Sequence, residues 1–171
     1  MRLYVDMDGT MTEYRTAATL DDYMTEGFYE SLKPTELAAY CNTLARTRED
    51  LEVYVLSIYI LPPALKEKNE WLDHWCPHID EAHRIILPNG SDKAKAIAQR
   101  TGKRLGRDDV LIDDHTPNLL SWKRSGGRAI KWLNGINGFG KRYTGERIGD
   151  IRHLEEVLSA SCGASRMRQQ A

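Results

Sequence analysis

The 171-residue chain has few cysteines, no long apolar run and almost no net charge. Its three cysteines, Cys41, Cys76 and Cys162, are odd in number and far apart. This spacing argues against a disulfide framework or a zinc site and favours reduced thiols in a cytoplasmic protein. No segment is apolar for long enough to cross a bilayer, and a strand pattern begins at once. We therefore expect neither a membrane span nor a signal peptide.

The net charge is −1, and the lysines and arginines are spread along the chain. This distribution argues against a nucleic-acid scaffold or a protein that binds membrane surfaces. The composition, with 41% hydrophobic and 29% charged residues, is typical of a single globular domain. A small phosphorylated ligand remains compatible with these totals, because it needs only a local positive charge. The sequence gives no prediction of the oligomeric state.

Short apolar segments alternate with helical patterns along most of the chain. The apolar segments predict five strands, at Arg2–Asp8, Leu51–Ser57, His83–Leu87, Asp109–Asp114 and Gly127–Trp132. Helical patterns begin at Pro34, at Pro63, after a predicted N-cap at Ser91, at Thr116 and at Ile151. This alternation predicts an α/β protein with a Rossmann-like open parallel sheet that is flanked by helices.

One segment interrupts the alternation soon after the first strand. We interpret residues 14–48 as a small helical cap, inserted into a core formed by residues 1–13 and 49–161. Its aromatic residues, Tyr14, Tyr23, Phe28 and Tyr29, either stack on a substrate or pack the cap onto the sheet, and packing is favoured because aromatics dominate small cores. Residues 162–171 are small and polar, and we expect a mobile tail there.

Polar side chains follow three of the predicted strands at the point where each strand ends. Parallel sheets bind ligands beyond the carboxyl ends of their strands, so these side chains are expected to meet. They are Asp6 and Asp8 after the first strand, Ser57 after the second, and Asp113 and Asp114 after the fourth. A lysine, Lys93, opens the helix before the fourth strand. Lys95 is the alternative, but two residues are about 200° apart on a helix, so both cannot face one site.

Each of these features is ambiguous when taken alone. Asp-x-Asp-Gly is also an ordinary turn sequence, and Asp-Asp after a strand is also a helix cap. Taken together, four carboxylates at one sheet edge repel one another unless a cation binds or their pKa values rise. Oxygen ligands without a nearby His or Cys suit Mg²⁺, which combines a few carboxylates with water and substrate phosphate.

The motifs "DMDGT" at residues 6–10, Ser57, Lys93 and "LIDD" at residues 111–114 resemble, in order, the four signatures of the haloacid-dehalogenase-like (HAD) superfamily of phosphohydrolases. The resemblance covers roughly residues 1–132. It implies a nucleophile at Asp6, a general acid and base at Asp8, and phosphate binding by Ser57 and Lys93. It also implies Mg²⁺ held by Asp6, the Asp8 carbonyl and Asp113, while Asp114 holds a metal-bound water or orients the lysine.

A narrower resemblance is to the 5'(3')-deoxyribonucleotidase branch. It depends on "DMDG", on "KNEWLDHW" at residues 68–75, and on Asp92 and Lys93 before "LIDD". It implies a (deoxy)nucleoside monophosphate as the substrate. The segment between Asp8 and Ser57 is shorter than the cap of well-known members, and His115 stands where arginine is frequent. Another small metabolite, a polynucleotide end, or a phosphate-binding or partner-binding module without catalysis therefore remain alternatives.

Overall fold

The computed structural model describes residues 1–14, 19, 21–22, 25–136 and 143–158. Six parallel strands form one sheet in the order β3-β2-β1-β4-β5-β6. The strands are β1 (Arg2–Val5), β2 (Glu52–Tyr59), β3 (Arg84–Pro88), β4 (Asp109–Asp113), β5 (Arg128–Trp132) and β6 (Glu146–Ile148). All five predicted strands are present. The sixth was not predicted, because its three residues contain two charged side chains and no apolar run.

Within the described residues, five helices of eight or more residues connect or follow the strands. They are α1 (Glu36–Thr47), α2 (Pro62–Trp75), α3 (Lys93–Thr101), α4 (Thr116–Arg124) and α5, which covers residues 151–158. The N-cap predicted for α3 was wrong by one residue. Asp92 rather than Ser91 caps this helix, because the Asp92 carboxylate accepts a hydrogen bond of 3.0 Å from the Lys95 backbone. Gly102 ends α3 with a φ of 66°, as its position predicts.

The helices cover both faces of the sheet. Side chains alternate between the faces along β1, so Leu3 and Val5 belong to one apolar cluster and Tyr4 to the other. Helices α1, α2 and α5 contribute buried side chains to the first cluster, whereas α3 and α4 contribute to the second. This arrangement confirms the predicted Rossmann-like α/β fold and leaves the carboxyl ends of the strands as the edge where polar side chains collect.

The described part of the insertion is attached to helix α2. Glu67 accepts hydrogen bonds from the backbone amides of Gly27 and Tyr29, at 2.9 and 3.0 Å. The Trp71 indole donates to the Leu32 carbonyl at 2.8 Å. We refer to residues 25–32 as the insertion segment. Phe28 and Tyr29 in this segment are buried in the first core cluster, which agrees with their predicted packing role.

Helix α1, which the sequence places in the cap, also packs into the first core cluster. The proposed division between the core and a cap at residues 14–48 stays a prediction. Tyr23 and the predicted tail at residues 162–171 lie outside the described residues.

Two of the three cysteines fall within the described residues. Cys41 and Cys76 are buried free thiols, and burial raises the pKa of Cys41 above its usual range and that of Cys76 to about 12. Cys162 lies outside the described residues, and the cytoplasmic location stays a prediction. Within the described ranges, no helix combines the length and the apolar character that a bilayer crossing needs.

Candidate active site

The ends of β1 and β4 bring the predicted carboxylates together. Strand β1 pairs with β4 so that Val5 is opposite Ile112, and the Asp6 amide donates to the Ile112 carbonyl at 2.9 Å. The next residue of each strand, Asp6 or Asp113, therefore lies at the same edge of the sheet. Both side chains are buried, with 6% of Asp6 and none of Asp113 exposed. Asp114, directly after β4, is buried beside them.

The chain turns sharply after Asp6, over Met7–Met11, where the backbone is non-helical at Asp8 and Gly9. Gly9 has a φ of 70°, in the left-handed region that favours glycine. A Cβ atom at this position would lie 3.0 Å from both the Asn134 amide nitrogen and an Asp114 carboxylate oxygen. Glycine is therefore required by the backbone angle and by the space. The turn brings Asp8 back toward the sheet edge.

Asp6, Asp113 and Asp114 each offer a carboxylate oxygen, and these oxygens all lie within 4.8 Å of one another. We call this group the acidic cluster. Oxygen donors at this spacing suit a small hard cation such as Mg²⁺, which is the metal that the sequence predicts. The Asp8 carboxylate lies outside the acidic cluster and contacts Lys68 and Ser57 instead.

Lys93 lies between two members of the acidic cluster. Its ammonium group is 2.6 Å from an Asp6 oxygen and 2.7 Å from an Asp113 oxygen, and the side chain is buried. Lys95 is exposed, so Lys93 is the lysine that faces the site. Burial acts to lower the pKa of Lys93, but the carboxylates of Asp113 and Asp6 outweigh it and raise the pKa above its usual range.

Asp6 is harder to ionise than a normal aspartate. Burial raises its pKa to about 8, with Asp113, Asp8 and Asp114 adding to the rise and Lys93 opposing it. Burial together with the neighbouring carboxylates thus outweighs the single ammonium group of Lys93 at Asp6. A bound divalent cation would favour the ionised form of Asp6, because metal ligands must be deprotonated.

We expect the metal-free protein to lose stability as the pH rises from about 4 to 8, between the unfolded and folded pKa values of Asp6. The folded-state pKa of Asp6, about 8, lies above its unfolded value. Its contribution to stability is therefore full below the unfolded pKa and is lost as the pH rises through 8. Lys93 does not oppose this trend, since its raised pKa keeps it charged in both states across the window. Thermal unfolding in a chelator checks it.

The comparison variant for this pH series is Asp6→Asn, which has no carboxyl proton to lose. Its melting temperature should change less with pH over the same window. Parallel curves for the two proteins would show that Asp6 does not titrate there.

Lys68 on α2 belongs to the site, although the sequence interpretation gave it no role. Its ammonium group contacts the Asp8 carboxylate, donates to Ser57 Oγ at 2.8 Å and donates to the Ile58 carbonyl at 2.7 Å. The group also lies 5.0 Å from the centre of the Tyr29 ring. Lys68 is fully buried. Each aspartate of the first motif therefore has a buried lysine beside it, Lys93 at Asp6 and Lys68 at Asp8.

A sequence signal for Lys68 does exist. The buried residues of α2 are Ala64, Lys68, Trp71 and Leu72, which share one face at helical spacing. A lysine on an otherwise apolar face must meet a buried acceptor, because an unpaired buried charge is costly. The same reasoning applies to Lys131, the buried lysine of β5.

A second set of polar residues supports the two aspartates at the end of β4. Asp113 accepts hydrogen bonds from the His115 amide at 2.7 Å and from the Asn118 side chain at 2.9 Å. Lys131 donates to the Asp114 carbonyl at 2.5 Å and to Thr116 Oγ1 at 3.1 Å. Burial lowers the pKa of Lys131. None of these supporting contacts was predicted from the sequence.

Solved structures share this fold. The D,D-heptose 1,7-bisphosphate phosphatase from B. bronchiseptica, complexed with magnesium and phosphate, matches with a TM-score of 0.66 and 13% identity, over 94% of this chain and 99% of that chain. A HAD-superfamily hydrolase from Ehrlichia chaffeensis matches with a TM-score of 0.57 and 11% identity, over 93% of this chain and 96% of that chain. The HAD domain of an effector protein from Legionella pneumophila matches with a TM-score of 0.53 and 18% identity, over 92% and 93%.

These comparisons show that the chain has the fold of the HAD-superfamily hydrolases. No protein-family model matches the sequence, and no curated protein matches it. The predicted site residues meet at the carboxyl edge of the sheet, while their individual roles and the nucleotidase resemblance remain proposals.

Proposed function

We propose that the protein is a magnesium-dependent phosphomonoester hydrolase that acts through an aspartyl-phosphate on Asp6. The observation that carries this proposal is the different setting of the two aspartates. Asp6 is buried in the acidic cluster beside Lys93, whereas Asp8 is 32% exposed and contacts Ser57 and Lys68. A nucleophile and a proton-transfer group need such different surroundings.

In the first step, an Asp6 carboxylate oxygen forms a bond to phosphorus while the bond between phosphorus and the leaving oxygen breaks. Asp8 gives its proton to that oxygen. In the second step, a water molecule attacks the phosphorus, Asp8 takes the proton, and the bond from Asp6 to phosphorus breaks. The products are the alcohol and inorganic phosphate, and both aspartates return to their first states.

The acidic cluster would hold the magnesium ion through Asp6 and Asp113, with the Asp8 carbonyl as the third protein ligand. Asp114 would hold a metal-bound water or orient Lys93. The ion masks negative charge on phosphate and carboxylate. Its proposed presence agrees with the magnesium and phosphate found in the B. bronchiseptica phosphatase.

Ser57, Lys68 and Lys93 would bind the phosphoryl oxygens. Ser57 Oγ already lies next to the Lys68 ammonium, and Lys93 lies next to the nucleophile. Fixed donors of this kind stabilise the charge that develops in the transition state without rearrangement at the moment of reaction. Lys93 contacts Asp6 and Lys68 contacts Asp8, so each proposed catalytic aspartate has an ammonium group beside it.

For the substrate, we propose a (deoxy)nucleoside monophosphate. Tyr14 is 39% exposed, and its ring lies 3.4 Å from the position of a Cβ atom on Gly9. The turn at Met7–Met11, which we call the catalytic turn, therefore has an exposed aromatic ring beside it. Such a ring gives a flat apolar surface on which a nucleobase can stack. The nucleotidase resemblance of residues 68–75 supports the same substrate.

A panel of phosphomonoesters, assayed with magnesium and with a chelator, tests this function. We expect hydrolysis only with magnesium, because Lys93 alone offsets too little of the charge on the acidic cluster. Deoxynucleoside monophosphates should have higher kcat/KM than sugar phosphates of equal charge. The measurement is release of inorganic phosphate. The chelator sample controls for trace metal, and a sample with zinc tests whether another divalent ion replaces magnesium.

The outcomes of the panel separate the alternatives. Equal rates for all substrates would remove the nucleotide proposal and keep the phosphatase. Preference for a 5'- or 3'-phosphorylated oligonucleotide would favour action on polynucleotide ends. Phosphate binding without any turnover would favour a module that only binds.

A further inference from the structure

Asn134 lies two residues beyond the end of β5, at the start of a segment rich in glycine and asparagine. Its side-chain amide nitrogen donates to the Gly9 carbonyl and to the Asp114 carboxylate, both at 2.7 Å. Its side-chain oxygen accepts from the Ile136 amide at 3.0 Å. Both amide hydrogens and the oxygen are therefore used, so the orientation of this side chain is fully specified.

The contact with Asp114 acts on the acidic cluster. The carboxylate oxygen that accepts from Asn134 belongs to a side chain that lies within 4.8 Å of Asp6 and Asp113. Lys131 from the same strand donates to the Asp114 carbonyl at 2.5 Å. The end of β5 thus holds Asp114 at its backbone and at its carboxylate, and a carboxylate that is already oriented beside the cation site loses less freedom when a cation binds.

The contact with Gly9 acts on the catalytic turn. Gly9 directly follows Asp8, and its left-handed backbone aims its carbonyl at the Asn134 amide. One amide group therefore ties the acidic cluster to the turn that carries the proposed proton-transfer residue. A simple turn at residues 134–136 needs only the bond from Asn134 to Ile136, so both bonds from the nitrogen exceed what the turn requires.

We propose that Asn134 is a positioning residue that sets the affinity of the acidic cluster for a divalent cation by orienting Asp114 and the Asp8–Gly9 turn. This proposal rests on the proposed function, since it requires that the cluster binds the cation. Loss of Asn134 would remove the hydrogen bond that orients the Asp114 carboxylate and the one that holds the Gly9 carbonyl.

The experiment measures cation binding by the full chain without substrate. Magnesium binding is followed by calorimetry and manganese binding by electron paramagnetic resonance. For Asn134→Ala we expect both affinities to fall about 10- to 100-fold, the usual effect of removing a group that orients a metal ligand. The matched control is Leu133→Ala, the neighbouring residue, which is partly exposed and for which affinity should stay within about twofold of the parent.

Equal affinities for Asn134→Ala and the parent would overturn the proposal, and so would an equal loss in Leu133→Ala. A parent protein that binds neither cation would instead overturn the proposed function. The double variant Asp114→Ala/Asn134→Ala supplies a second measurement if Asn134→Ala unfolds more easily. Because Asn134 acts through Asp114, Asn134→Ala should lower the cation affinity less in the Asp114→Ala protein than in the parent protein.

Discussion

Asp6→Asn is expected to abolish hydrolysis of a simple aryl phosphate while the protein remains folded. The asparagine amide has the size of the carboxylate but is a poor nucleophile toward phosphorus, so no aspartyl-phosphate forms. We expect kcat to fall by a factor of about 10⁴ or more, the scale seen when a catalytic nucleophile is removed. Stability should not suffer, because Lys93 keeps its 2.7 Å contact with Asp113 and one buried carboxylate is lost.

The matched control for this variant is Asp73→Asn. Asp73 is 66% exposed, forms an ion pair with Arg84 and lies outside the proposed site. Its loss should leave kcat unchanged, because its ion pair with Arg84 involves neither the acidic cluster nor Lys68. Thermal unfolding of all three proteins establishes that each is folded during the assay. Full turnover by Asp6→Asn would show that another group attacks the phosphorus.

Lys68→Met has the second largest expected effect. The substitution keeps an unbranched apolar stem within α2 but removes the ammonium group that contacts Asp8 and Ser57. Removing one fixed donor to developing charge lowers kcat by about 10²- to 10³-fold in other enzymes, and we expect a loss of this size here. The loss should exceed any change in KM if the donor acts mainly in the transition state.

Helix α2 supplies a close control, Lys66→Met. Lys66 lies two residues earlier, is 80% exposed and forms an ion pair with Glu70 at 3.3 Å. The same chemical change at this position should leave kcat and KM as they are. A kcat for Lys68→Met within about twofold of the parent would remove Lys68 from the proposed machinery.

Much of the site was predictable because strand ends are visible in a sequence. Apolar residues that give way to aspartate mark the ends of β1 and β4, and parallel pairing then forces Asp6 and Asp113 together. Helical spacing also limits the site to one of Lys93 and Lys95, since only one of two residues so spaced can face the sheet edge. The structure then selects Lys93. These inferences need one element or one pair of elements at a time.

The remaining contacts depend on three or more distant segments. Asn134 meets Gly9 across 125 residues, and its carboxylate partner lies 20 residues away. Neither spacing produces a periodic pattern, and an asparagine beside glycine indicates only a turn. Lys68 was detectable in principle from its place on the apolar face of α2, but its partners, Asp8 and Ser57, could be assigned only from the fold.

The bonds between α2 and the insertion segment restrict how this protein can diversify. Glu67 accepts hydrogen bonds from the Gly27 and Tyr29 amides of the insertion segment. The next residue of α2, Lys68, contacts Asp8 and lies beside the Tyr29 ring. Recombination that exchanges the insertion alone would leave Glu67 without its amide donors and change the surroundings of Lys68. A chimaera that keeps these contacts must therefore exchange the insertion segment together with Glu67 and Trp71.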